Sequence, residues 1–320
     1  MDNKLFNSIA CTIGIFIFIM MIALFCDFFQ KDLSVRQKEH STKFGAVYMT
    51  LNNPFYTIIN EEMRTQIESH GDVLLSRNPH LDEEEQSKEI QELVEQGIKV
   101  LFINPIDSGN IAGALEKAKA AGVSVVAIDT NVARTDLVDS TVVSDNYMAG
   151  VQCAKHLLEN KSSGRVAILT HAKATSAQNR IRGFIETLKD KPEFQIVDQA
   201  DCLGQLELAM PAMEEMLKRH PDIDVVMALN DPSALGAMAA LKNAGRLSDT
   251  MIYGVDGTPE AMEMIESGLM TGTVSQEPKK IARLAVNEAY KILEKKDVDK
   301  IIMIPTVLHT KGSVSPEWIK

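Results

Sequence analysis

Cysteine is scarce in this chain of 320 residues: four occur, at 11, 26, 153 and 202, with no CxxC pair and no metal-ligand spacing. A disulfide framework and a zinc site are therefore not expected. Seven histidines make no HExxH or HxxxH pair, which argues against a catalytic metal centre. No GxGxxG follows the first strand-like run, no Walker A sequence occurs, and "GTPEA" at 257–261 lacks a following Lys-Ser or Lys-Thr. Nucleotide binding drops out with them. No GxSxG elbow surrounds Ser144 or Ser176, so that hydrolase signature is missing too. Positive charge is also short, with 33 Lys and Arg against 44 Asp and Glu and a net charge of -11. Without a basic stripe to neutralise phosphates, nucleic acid is not an expected partner. Aromatics make up 5% of a chain that is 45% hydrophobic, so the core must be built from aliphatic side chains and Met. No cofactor is indicated.

What is present begins at the amino terminus. Residues 9–26, "IACTIGIFIFIMMIALFC", hold no charge and are about long enough to span a bilayer core. A removed signal peptide competes with an anchor, but "ALFCDFF" offers no small-x-small site and bulky Phe25 precedes Cys26. An uncleaved transmembrane helix is the preferred reading of residues 1–30, followed by a polar linker over 31–43. Lys4 precedes the span while Lys31, Arg36 and Lys38 follow it, a count of positives that favours the wrong side for an exported domain and leaves the orientation open.

Beyond Lys43, short aliphatic runs alternate with amphipathic helical stretches, the pattern of βαβ units on parallel sheets. Strands are expected at Phe44–Leu51, Asp72–Arg77, Lys99–Asn104, Val123–Asp129 and Ser140–Val143. A second set covers Arg165–His171, Gln195–Asp201, Asp224–Asn230, Met251–Asp256 and Thr271–Gln276. Two sets of five predict an α/β protein of two doubly wound lobes.

The strand ends carry the functional signal. Asn53, Asn104, Asn230, Asp256 and Gln276 each close a strand and are followed closely by Pro54, Pro105, Pro232, Pro259 and Pro278. An Asn or Asp there can simply cap the next helix, with proline in its first turn. In open parallel sheets, however, ligands bind outside the carboxyl ends of the strands, where all five lie. Asp129 ends another first-lobe strand, and Arg180 in "ATSAQNRIRGF" falls early in a second-lobe helix. Carboxylates accept hydrogen bonds, guanidinium donates, and amides do both. A compact polyol could satisfy the whole set. In "TLNNPFYTI", Phe55 and Tyr56 could offer ring faces to the C–H face of a sugar, or serve only as core. Asp129 with Asp256 could also be imagined as a glycosidase pair, although their spacing in sequence shows neither the required separation nor a raised pKa.

The stretches "TLNNPFY", "LFINPIDSGNI", "VVAIDTN", "VSDNYMAG", "ALNDPSALGA", "YGVDGTPEA" and "GTVSQEP" resemble, in this order, the ribose-binding group of bacterial periplasmic (type 1) sugar-binding proteins. The resemblance implies a hinged receptor that closes on a monosaccharide, a pentose or hexose, and presents it to an ABC permease. It implies a first lobe of 44–143 plus 277–307 and a second of 144–276 plus 308–320. Hinges would lie near Val143–Ser144, Ser275–Gln276 and Val307–Leu308. Carried over by position, the pocket falls on Asn53, Phe55, Tyr56, Asn104, Asp129, Arg180, Asn230, Asp256 and Gln276. Three departures leave the sugar open: Thr130 stands where ribose binders have Arg, Met49 where they have Ser, and "ADCLGQ" lacks their aromatic. A tethered form also admits a sensing role, with the extracytoplasmic domain of a sensor kinase as partner. Either way the expected location is the outer face of the cytoplasmic membrane.

Overall fold

In the computed structural model, which describes residues 20–22, 25 and 41–313, the aliphatic runs become the strands of two sheets. The first contains β1 (Lys43–Val47), β2 (Val73–Arg77), β3 (Val100–Ile103), β4 (Ser124–Ile128) and β5 (Ser140–Ser144), all parallel. The second contains β6 (Gly164–Thr170), β7 (Phe194–Asp201), β8 (Val225–Ala228), β9 (Met251–Asp256) and β10 (Gly272–Ser275), again parallel. Helices cover both faces, so central strands such as "VLFI" of β3 are buried at every position and read as unbroken apolar runs.

Two further strands complete the sheets by exchange. β11 (Ile301–Ile304) pairs with β5 of the first sheet, and β12 (Val307–Thr310) runs antiparallel to β10 of the second. The orders are β11-β5-β4-β3-β1-β2 and β12-β10-β9-β8-β6-β7. The chain thus passes between sheets after β5, after β10 and between β11 and β12. Strand periodicity did not signal this last pair. Both lie at sheet edges, with Ile301, Met303 and Val307 more than half exposed, and no helix separates them.

The helices are α1 (Pro54–Ser69), α2 (Glu83–Glu95), α3 (Ala112–Ala120), α4 (Asn146–Asn160) and α5 (Thr175–Leu188), then α6 (Leu206–Arg219), α7 (Asp231–Asn243), α8 (Pro259–Glu266) and α9 (Pro278–Leu293). Among the described residues no helix is long and apolar enough to cross a membrane. The expected span at 9–26 lies outside the described residues apart from 20–22 and 25.

Two features of this topology position a site. In each sheet the first strand sits between the second and third, β1 between β2 and β3 and β6 between β7 and β8. A crevice opens at the carboxyl ends of strands where the order reverses in this way. The second feature is a backbone-to-backbone crossing of α4 and α5. A Cβ on Gly150 would overlap the Arg180 carbonyl oxygen, and one on Gly183 would overlap that of Tyr147. Glycine is required at both positions because helix backbones, unlike flexible side-chain ends, cannot yield. Gly150→Ala should therefore push α5 away and destabilise the chain by about 1–3 kcal/mol, as overpacking does. Urea denaturation measures this; an unchanged midpoint would contradict the crossing.

Candidate functional site

The five strand-closing residues divide into two kinds. Asn53 and Asn230 do cap helices, Asn53 Oδ1 accepting from Phe55 N at 2.9 Å and Asn230 Oδ1 from Ser233 N at 3.0 Å. Asp256 does not: Thr258 Oγ1 takes that position on α8, accepting from Ala261 N at 3.2 Å. Asn104 and Gln276 cap nothing either. Asn104 Oδ1 accepts from Met49 N at 3.2 Å, and its Nδ2 donates to Ile128 O at 3.3 Å and Asp129 Oδ2 at 3.2 Å. Gln276 Nε2 donates to Asp256 Oδ1 at 2.7 Å.

Eight of the nine expected residues line one cleft between the lobes: Asn53, Phe55, Tyr56 and Asp129 on one side, with Arg180, Asn230, Asp256 and Gln276 completing it. Asn104 is fully buried one layer behind and reaches the cleft only through Asp129 and Met49. Phe55 and Tyr56 meet edge to face, with centroids 5.4 Å apart. The Tyr56 hydroxyl donates to Asp129 Oδ2 at 3.3 Å, so this ring is tied to the acid as well as to the core. Asn230 Nδ2 donates to Gly204 O at 3.0 Å and holds the turn at 203–205, which also borders the cleft.

Arg180 links the two lobes. Its Nε donates to Asn146 Oδ1 at 2.7 Å and its Nη1 to Leu229 O at 2.8 Å, which fixes the guanidinium plane. From there Nη2 lies 4.0 Å from Asp129 Oδ1 and Nη1 lies 3.9 Å from Asp256 Oδ1. All three side chains are at least 95% buried. Both acids also sit on unusual backbone, with φ of 62° at Asp129 and 139° at Asp256. Such left-handed non-glycine residues store strain and concentrate at ligand sites.

Burial dominates the electrostatics. It raises the Asp129 carboxyl above its ordinary range, although Arg180 and the donors Thr130, Tyr56 and Asn104 oppose it. Burial likewise pushes Asp256 up to about 8; Arg180 lowers it, and the negative charges of Asp231 and Asp129 add to the rise. Burial thus favours the uncharged form of both carboxyls, which suits an uncharged ligand.

Sequence reasoning missed His171 and Ser176 as cleft residues, and it read the turn at 203–205 only as a stretch that lacks an aromatic. His171 directly follows β6 as Asn104 directly follows β3, whereas Asn53 lies six residues beyond the end of β1, which stops short of the expected Leu51; no proline follows His171. Ser176 is visible only once the lobes meet. Its Oγ lies 2.7 Å from Thr130 Oγ1, and because Thr130 donates its single proton to Asp129 Oδ2, Ser176 is the donor. Beside it, Ser108 N donates to Lys173 O at 3.0 Å and Thr175 N to Ser108 Oγ at 3.0 Å. The lobes are in contact along this lip.

Residues 44–297 match the family described as the periplasmic binding protein domain. The chain is 32% identical over 268 residues to the ribose import binding protein RbsB of Bacillus subtilis, covering 83% of this chain and 87% of that protein. An ABC transporter solute binding protein from Mycobacterium smegmatis, solved with bound glycerol, superposes with a TM-score of 0.78 at 30% identity, covering 85% of this chain and 94% of that one. The fructose binding periplasmic domain of the hybrid two component system BT1754 superposes with a TM-score of 0.78 at 25% identity, covering 84% and 90%.

The raised Asp256 carboxyl makes stability depend on pH. Its ordinary value is 3.8 and its folded value about 8, so folding favours the protonated form. The stability it contributes is present in full below about pH 4 and is lost as pH rises through about 8. Relative to Asp256→Asn, the wild-type melting temperature should therefore fall between about pH 5 and about pH 8. Parallel melting profiles would show that Asp256 ionises freely in the fold.

Proposed function

The chain belongs to the periplasmic binding protein family, and from that premise we propose that it is an extracytoplasmic receptor whose lobes close on a monosaccharide and present it to an ABC-type importer. One observation carries this reading. Asp129 Oδ1, Asp256 Oδ2, Gln276 Oε1 and His171 Nε2 are buried without a hydrogen-bond partner among the described residues, and all four residues line the same cleft. A buried polar group left unpaired costs about 1–3 kcal/mol. Hydroxyls donate and accept, so a pentose or hexose can pair several such atoms at once, whereas a phosphate would face two acids against one guanidinium. The relatives' names support the same reading: they are binding proteins for import, not enzymes, and this chain is likewise a receptor rather than a glycosidase.

The same proposal keeps residues 9–26 attached as a membrane anchor at the outer face of the cytoplasmic membrane. It rests on the uninterrupted apolar run and the missing small-x-small site. A second reading makes the chain the sensing subunit of a membrane kinase; the similarity to a fructose binding domain of a two component system favours it. Transport and sensing share the closed state, so the cleft chemistry is common to both.

Thermal-shift screening of the detergent-solubilised chain against pentoses, hexoses and sugar phosphates tests the receptor reading. A sugar at ~100 times its Kd should stabilise the fold by about 2.7 kcal/mol; a response to phosphates alone would refute it. For the anchor, N-terminal sequencing of membrane-extracted protein should find residues 9–26 intact, and a mature chain beginning near residue 27 would identify the segment as a signal.

A further inference from the structure

One of the four unpaired cleft atoms belongs to a residue outside the expected pocket, His171. His171 follows β6 directly, at the crevice between the carboxyl ends of β6 and β8 where the order of the second sheet reverses. It is 1% exposed, and its Nε2 has no hydrogen-bond partner among the described residues. The ring borders the same cleft as Asp129, Arg180 and Asp256. An imidazole held only for packing gains nothing from burying a bare nitrogen, which costs about as much as any unpaired polar group. A leucine would fill that space without the penalty.

We propose that His171 is a ligand-contacting residue that sets specificity: its Nε2 takes one hydroxyl of the bound monosaccharide at the second-lobe crevice. The proposal rests on the receptor reading and adds to it a contact that the motif pattern does not supply. It also differs in kind from the other unpaired atoms. Asp129 Oδ1 and Gln276 Oε1 only accept, whereas a neutral imidazole nitrogen donates or accepts according to its tautomer. Together with Arg180, it lets the cleft serve hydroxyl oxygens as well as hydroxyl protons.

Charged groups face the ring from several elements: Asp201 at the end of β7, Lys173 in its own loop, and Glu83 of α2 with Asp107 of the loop after β3, both from the first lobe. The acids favour the imidazolium and Lys173 opposes it, but burial prevails and lowers the pKa below its ordinary value of 6.5. Burial in the cleft therefore favours the neutral ring. A ring protonated in the open form must release its proton on closure, so its contribution to affinity is present above the open-state pKa and fades as pH falls below it.

Calorimetric titration of the full-length chain with D-ribose, D-apiose, D-allose and myo-inositol, for wild type, His171→Leu and His171→Gln, tests this. For whichever probe the wild type binds, His171→Leu should weaken affinity about tenfold, the loss expected for one buried hydrogen bond. His171→Gln, which keeps a terminal donor and acceptor, should recover part of it. Between about pH 7.5 and about pH 5.5 the wild-type affinity should fall relative to His171→Gln, a difference that isolates the imidazole because Asp256 titrates in both chains. If His171→Leu fails to fold, the glutamine variant and this pH comparison decide. Wild-type binding with unchanged affinity and a parallel pH profile in the variants would overturn the contact alone. A wild-type chain that binds none of the four probes would overturn the sugar assignment and the His171 contact with it.

Discussion

One guanidinium between two buried acids organises the cleft. Asp129 belongs to the first lobe, Asp256 to the second, and Arg180 stands within 4.0 Å of both. Three ionisable groups so thoroughly removed from water are expensive unless paired and hydrogen-bonded. The surroundings show how that expense is met. Asn146 and the Leu229 carbonyl fix Arg180, Gln276 holds one oxygen of Asp256, and Tyr56, Asn104 and Thr130 converge on one oxygen of Asp129. In each carboxyl the second oxygen has no partner among the described residues. The protein pairs one oxygen of each acid and leaves the other unpaired, in two residues that line the cleft.

The rest of the fold serves that arrangement. α5 carries Arg180 into place because Gly150 and Gly183 let two helix backbones touch. The sheet exchange by β11 and β12 completes three chain passages between the lobes, so neither lobe is independent of the other. Positive φ at both acids turns their side chains at the sheet ends, a strain tolerated where a surrounding network holds it. Along one lip, Ser176, Thr130, Ser108 and Thr175 meet through neutral hydrogen bonds, which form and break at small net free energy, about 1 kcal/mol each. Lys173 of the second lobe adds ion pairs to Glu83 and Asp107 of the first at the same lip.

Much of this was legible in the chain itself. Unbroken aliphatic runs such as "VLFI" report strands buried on both faces, and an Asn or Asp at a strand end followed by proline marks the ligand side of a parallel sheet. That signal is ambiguous residue by residue, as the outcome shows. Asn53 and Asn230 are caps and cleft residues at once, whereas at Asp256 the cap is Thr258. Asn104 sits behind the wall because its amide is used to hold Met49 and Asp129. Edge strands β11 and β12 were not legible because half-exposed, four-residue strands joined without a helix lack a period of their own. Nor was His171, whose significance comes from its burial and the bare nitrogen, neither of which a sequence displays.

A crystal structure of the chain with the sugar that most raises its melting temperature is the most direct test of the central claim, that ligand hydroxyls complete the half-paired acids between the lobes. The account predicts hydroxyl oxygens within about 2.5–3.0 Å, the normal O–H···O range, of Asp129 Oδ1 and Asp256 Oδ2, with Arg180 donating to the same molecule. A sugar bound outside this cleft, or one that left both oxygens unpaired, would contradict it.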